Sequence, residues 1–233
     1  IKPHDIIVFA THTHTGPDSR PAPHLAEKLK GLGIDVPEAW TWWGIDLGVR
    51  PTPRDYAELV ADRVVDAVEQ ALKNRKPGGV SFGQGYAVAG LNRLTRYQDG
   101  RSAMYGATDK PDFSHMEGYE DHSVGFLYTY DLKKNLTGIV INIACPAQVS
   151  EGGTLISADY WHETRNELRE RLGSSLYVLP QIAAAGDQSP HIKIGEKAIA
   201  RTQKLMFGDT IKTGDRTIAL RKDLAIRITD AAT

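Results

Sequence analysis

Apolar residues fall in short runs along the chain, and the spacing of each run points to a different element. Ile6-Ile7-Val8-Phe9-Ala10 is compact and β-branched, and predicts a buried strand that ends at the Gly16-Pro17 turn. Asp18 to Arg50 has no such period and predicts a long loop containing Trp40-Thr41-Trp42-Trp43. Thr52-Pro53 then has the form of a helix start, with a hydroxyl cap and Pro in the first turn. Tyr56, Val60, Val64, Val68 and Leu72 supply its apolar stripe, and Pro77-Gly78-Gly79 stops it.

Val80 to Val88 alternates like a strand, whereas Asn92 to Met116 is polar and predicts an extended loop. Val124–Tyr128 and Ile139–Ala144 read as two strands of a hairpin turned at Lys133-Lys134-Asn135. A helix is expected from Ala158 to Leu172 with Ser157 as its cap, then a buried strand Leu176–Leu179, then a helix from Ile194 to Phe207. The predicted class is α/β, a mixed sheet flanked by helices with strands and helices mostly alternating. One domain spanning residues 1–233 is expected. The chain lacks an initiator Met and starts close to a strand, which leads us to expect a piece of a longer polypeptide.

Composition narrows the function classes. Lys and Arg number 28 against 29 Asp and Glu, so no basic excess argues for nucleic acid. No apolar stretch is long enough to predict a membrane span. Cys145 is the one cysteine, which rules out an intrachain disulfide; this suits a reducing, cytoplasmic compartment without excluding secretion.

Two junctions carry the candidate chemistry. In Thr11-His12-Thr13-His14-Thr15, residues two apart on a continuing strand would face one cleft, where two imidazoles can ligate a metal or divide that role with proton transfer. One histidine finishing the turn and one solvated is the plain alternative. In Gly186-Asp187-Gln188-Ser189-Pro190-His191, small residues precede Asp187 and Ser189 at an expected sheet edge. Ser189 before Pro190 also has the form of an ordinary helix cap.

Together the junctions resemble the neutral/alkaline non-lysosomal ceramidase family, whose stretches run Thr-His-Thr-His-Ser-Gly-Pro and Gly-Asp-Val-Ser-Pro-Asn. Leu91-Asn92-Arg93 is similar to its Asn-Arg-Ser-Pro loop, and Ile156-Ser157-Ala158-Asp159 to its Ile-Ser-Gly-Asp segment. The resemblance implies a zinc-dependent hydrolase of the amide bond in an N-acyl sphingoid base or related amide. It implies His12 as a Zn2+ ligand, His14 facing a small-molecule or lipid substrate, Arg93 beside the reacting centre, and Ser189 with Asp187 as catalytic groups. The family's second zinc histidine falls on Cys145, a position that suits either a thiolate ligand or a buried, inert thiol. Its remaining ligands, a glutamate and a tyrosine, lie downstream of the serine motif, beyond the matched stretch. Leu94-Thr95 replaces Ser-Pro after Arg93.

Other polar positions have two readings each. His122 and His162 are either further ligands or solvated histidines, and His191 stands where the family has Asn. The tryptophan cluster suits a substrate wall or loop packing. Asn135-Leu136-Thr137 fits a glycosylation acceptor. Two rival functions stand beside the hydrolase: a barrel-type metal-dependent amidohydrolase, and a non-catalytic binding module that has lost its metal.

Overall fold

The structure is a computed structural model that describes residues 2–17, 27, 29–35, 53–151, 156–208 and 216–233. The chain divides into two compact units, Gly16–Lys76 and the combination of Ile1–Thr15 with Pro77–Thr233. The first contains helix α1 (Pro53–Lys73), which carries the expected stripe from Tyr56 to Leu72. Arg54 and Glu58, 2.8 Å apart, pair across one turn of its exposed side. The Thr52 cap and the tryptophan cluster lie outside the described residues.

The second unit is built on a four-stranded sheet. Its strands are β1 (Gly78–Tyr86), β6 (Ser123–Asp131), β7 (Leu136–Ile143) and β8 (Tyr177–Ile182), in that spatial order. β1, β6 and β7 pair antiparallel, and β8 adds parallel to β7. This is the mixed α/β sheet that the pattern predicts, and it is not the all-parallel barrel of the amidohydrolase reading. The β6–β7 hairpin is tied by Asp131, whose carboxylate accepts from the amides of Lys133 and Asn135. Asn135 also donates its side-chain amide to the Asp131 carboxylate, 2.8 Å away.

Register places Val124, Phe126 and Tyr128 opposite Ile143, Ile141 and Ile139 on one face. Helices α2 (Tyr160–Leu172) and α4 (Arg216–Ala232) contribute Tyr160, Trp161, Leu168, Leu224 and Ile228 to the core over that face. α4 comes close to β1 because Gly85 has no side chain: a Cβ there would stand 2.3 Å from the Ala231 carbonyl oxygen. The opposite face is open among the described residues, with Val80, Phe82, Tyr177 and Leu179 between 51 and 79 % exposed.

Five features depart from the sequence pattern. Ile6–Ala10 forms no strand, and Ile7 and Val8 are 83 and 88 % exposed. The next residue, Thr11, is tied down: its carbonyl accepts from Ala147 N. Apolar composition alone cannot make a strand without a ladder partner. Second, the Asn92–Met116 region is not an extended loop. It holds part of β2 (Leu91–Asn92), with β3 (Leu94–Tyr97), β4 (Ser102–Met104) and β5 (Phe113–Met116), the last three forming a small sheet. Thr95 and Tyr97 point inward there because their hydroxyls donate to the carbonyls of Gly106 and Ala107, so polar residues are buried without penalty.

Third, α2 is capped by Asp159, not Ser157: the Asp159 carboxylate accepts from Tyr160 N at 2.7 Å, and Ser157 Oγ accepts from Asp159 N. Fourth, β8 is half-exposed where a buried strand was expected. Fifth, helix α4 follows helix α3 (Glu196–Phe207) and was not anticipated. No described helix is long and apolar enough to cross a membrane.

The Gly85 contact generates a prediction. Gly85→Ala should destabilise the protein by about 1–3 kcal/mol, because the packed backbone at Ala231 must shift to admit the methyl group. Gly79→Ala, where a Cβ meets nothing within 4 Å, should be within about 0.5 kcal/mol of wild type. Urea unfolding of both variants checks this; equal midpoints would contradict it.

Candidate functional site

The two junctions meet through backbone pairing. β2 pairs antiparallel with β9 (Gln188–Ser189), setting Leu91 opposite Ser189 and Asn92 opposite Gln188. Arg93 N donates to the Asp187 carbonyl at 2.9 Å, and Asn92 Nδ2 donates to Asp187 Oδ2 at 2.9 Å. Gln188 Nε2 donates to Asp187 Oδ1. Both carboxylate oxygens of Asp187 thus accept from amides, and the residue ties the Asn-Arg loop to the serine motif. Gly118 permits this closeness, since a Cβ would stand 2.5 Å from Asn92 Nδ2.

Arg93 reaches across the join. Its Nη1 donates to Tyr105 Oη and its Nη2 to the Gly186 carbonyl, each at 2.7 Å, with the guanidinium 5.1 Å from the centre of the Tyr105 ring. Tyr105 has φ +57, an unfavourable conformation for an aromatic residue that its surroundings must enforce. Its hydroxyl donates to Ser189 Oγ at 3.3 Å. Ser189 Oγ also accepts from Gln148 Nε2 at 3.4 Å and from His191 N at 3.0 Å. The buried Ser189 oxygen is therefore faced by three donors. The helix-cap reading of Ser189 does not hold, because α3 starts at Glu196 with Gly195 as its cap residue.

The His-x-His segment docks on the turn after β7. Ala147 N donates to the Thr11 carbonyl at 3.0 Å, and His14 N donates to the Ala147 carbonyl at 3.1 Å. Thr15 Oγ1 donates to the Ser157 carbonyl at 3.0 Å, fixing the far end. His12 has φ +57, so the backbone turns there instead of alternating, yet the two rings stay in contact with centroids 5.2 Å apart. Partial burial lowers the His12 pKa, and the neighbouring His14 and Arg93 lower it further, which favours its neutral imidazole.

Beyond this segment, His14 Nδ1 stands 3.1 Å from Glu151 Oε2. The other Glu151 oxygen pairs with His191 Nε2. Tyr105, Gln148 and Glu151 are the site groups that the sequence pattern missed. Gln148 and Glu151 lie in the irregular segment after β7, and Tyr105 in a region read as loop. The order of segments alone carried a signal: Gln148 and Glu151 sit between Cys145 and the Ile156-Ser157-Ala158-Asp159 match.

Cys145 lies in the core at 1 % exposure, with its Sγ donating to the Pro146 carbonyl at 3.7 Å. Burial pushes its thiol up from 9.0 to about 12, so this pocket favours the protonated form. A cysteine that ligates zinc must be a thiolate. Among the described residues, no three His, Cys, Asp or Glu side chains converge to hold a metal ion. Glu151 touches its two imidazoles with separate oxygens, which spreads those donors apart. His12, as a neutral imidazole, suits a metal, but the described set as a whole does not fit one. His162 bonds Asn166 within its own helix, and His122 Nε2 is buried without a partner.

No family model matches the chain, and no curated protein matches it. Among solved structures, the fold is similar to that of neutral ceramidase from Pseudomonas aeruginosa, with TM-score 0.50 and 17 % identity, covering 75 % of this chain and 25 % of that one. It is also similar to a ceramidase complexed with C2, with TM-score 0.56 and 17 % identity, covering 96 % of this chain and 29 % of that one. The chain thus has a ceramidase-like fold, and it spans between a quarter and a third of the length of those proteins.

The Cys145 pocket sets a pH dependence. A thiol raised from 9.0 to about 12 on folding contributes stability that is present below pH 9 and is lost as pH rises toward 12. The gap corresponds to about 4 kcal/mol at most. Cys145→Ala should flatten the fall in stability between pH 9 and the limit of measurement, read by denaturation at each pH. A slope unchanged by the substitution would contradict this assignment.

Proposed function

We propose that this chain carries the site of a hydrolase resembling neutral ceramidase, which cleaves the amide bond of an N-acyl sphingoid base or a related lipid amide. The observation that carries this reading is the convergence on Ser189 Oγ of Tyr105, Gln148 and the His191 amide, with the Arg93 guanidinium anchored beside them. Donors aimed at one oxygen favour negative charge there, as either an alkoxide or an adjoining oxyanion. Amide hydrolysis needs this, because the carbonyl oxygen becomes anionic when the attacking oxygen bonds to carbon. Collapse of the adduct breaks the C–N bond, and the nitrogen takes a proton and leaves as the amine. Where water attacked, the acid forms at once; where Ser189 attacked, a water then hydrolyses the seryl ester to release the acid and restore the hydroxyl.

In this reading Arg93 stabilises the developing charge, and Ser189 either attacks or positions the attacking water. His14 faces the substrate, and Asp187 holds the two motifs in register. Zinc, which the family resemblance implies, enters only through His12, and no step is assigned to it. Kinship of the fold with ceramidases supports a lipid amide over other amides.

Turnover of a panel of N-acyl amines, including N-acyl sphingosines of several chain lengths, tests the reading. Wild type should release acid and amine, and Ser189→Ala should lower kcat by about 100-fold or more while the fold is retained. Absence of turnover on every member of the panel, or near wild-type rates in the variant, would overturn it. Metal analysis of the same preparations, with and without His12→Ala, tests the zinc component: a metal content unaffected by the substitution removes His12 as a ligand.

A further inference from the structure

Among the described residues, Glu151 is the one carboxylate that both His14 and His191 face. It lies in the segment after β7, with its side chain about one third exposed, and spans His14 and His191 with one oxygen each. The His14 contact is an ion-pair distance of 3.1 Å without hydrogen-bond geometry, and the His191 contact is a hydrogen bond. The two histidines come from segments far apart in sequence. His14 is held by its backbone to Ala147, while His191 sends its backbone N–H to Ser189 Oγ and sets its ring edge-on to Tyr105, with centroids 6.0 Å apart. Glu151 therefore links the His-x-His segment to the serine motif through side chains.

We propose that Glu151 is a positioning residue that fixes the orientation and tautomer of His14 and His191 around Ser189. A carboxylate accepts only, so the His191 nitrogen bonded to it must carry the hydrogen, and its charge favours a hydrogen on the His14 nitrogen beside it. With Nδ1 3.1 Å from a Glu151 oxygen, His14 is biased toward the Nδ1–H tautomer, which leaves its Nε2 lone pair for a hydrogen of substrate or water. Facing Glu151 with Nε2 makes His191 the opposite tautomer, with Nδ1 as its acceptor. The neighbouring carboxylate thus decides which nitrogen of each ring does chemistry. This inference rests on the hydrolase reading for its purpose, though its geometry does not.

Glu151→Gln tests it, because the amide keeps one acceptor and turns the other oxygen into a donor, so the two rings can no longer both donate. Long-range proton–nitrogen correlation spectra of histidine-labelled full chain report each tautomer directly. Wild type should show single, opposite tautomers for His14 and His191. Glu151→Gln should convert at least one to the other tautomer or to a mixture, and Glu151→Asp should keep more of the wild-type pattern. On an N-acyl amine that is turned over, Glu151→Gln should lower kcat by about 10–100-fold with little change in KM. Tautomers unchanged in Glu151→Gln would overturn the proposal even if thermal stability fell. Stoichiometric binding of Zn2+ alone, lost in Glu151→Gln, would also overturn it by making Glu151 a ligand. Fixed wild-type tautomers that respond to the substitution would support it even without amide turnover, in which case the hydrolase reading alone fails.

Discussion

The pairing of Asp187 with Asn92 holds the site together. Two short strands of two residues each, β2 and β9, would be marginal on their own. The Asn92 and Gln188 side-chain amides close on the Asp187 carboxylate, and Arg93 N closes on its carbonyl. That cluster sets Arg93, the residue after β2, beside Ser189 on β9, within reach of one Tyr105 hydroxyl. Removing the Asp187 carboxylate would leave the nearly fully buried Asn92 with an orphaned amide donor, which costs more than the hydrogen bond itself contributes.

The second constraint is the turn after β7. Ala147 brackets the His-x-His segment by two backbone bonds, and one residue later Gln148 donates toward both Tyr105 and Ser189. Cys145 and Pro146 lead into this turn from the core, and Tyr160 Oη, from the first turn of α2, donates to the Cys145 carbonyl at 2.6 Å. The thiol is thereby a packing element of the turn that carries the site. A polar, partly exposed rim thus rests on an apolar floor made by β6, β7 and α2.

Much of this was legible in the sequence. The β6–β7 hairpin, β1 and the helices from Pro53, Tyr160 and Glu196 follow from period and punctuation, because burial on one face leaves a regular apolar trace. The grouping of Arg93, Asp187 and Ser189 was implied by the family resemblance of the motifs that contain them. What was hidden depends on polar side chains that are buried because they are bonded. Thr95, Tyr97 and Gln148 look like loop residues in a hydropathy pattern and lie inside through specific acceptors and donors. Ile6–Ala10 fails in the opposite direction, since its composition is that of a strand while no described residue pairs with it. Asp159 displaced Ser157 as cap because its carboxylate serves Tyr160, Val149 and Ser150 at once.

The central claim is that Arg93 and Ser189 act on one reacting centre. A double-mutant cycle on kcat/KM for an N-acyl amine, using Arg93→Lys, Ser189→Ala and the double variant, measures this most directly. The account predicts strong non-additivity, with the double variant little worse than the poorer single one. Additive losses, each substitution costing the same in either background, would contradict it.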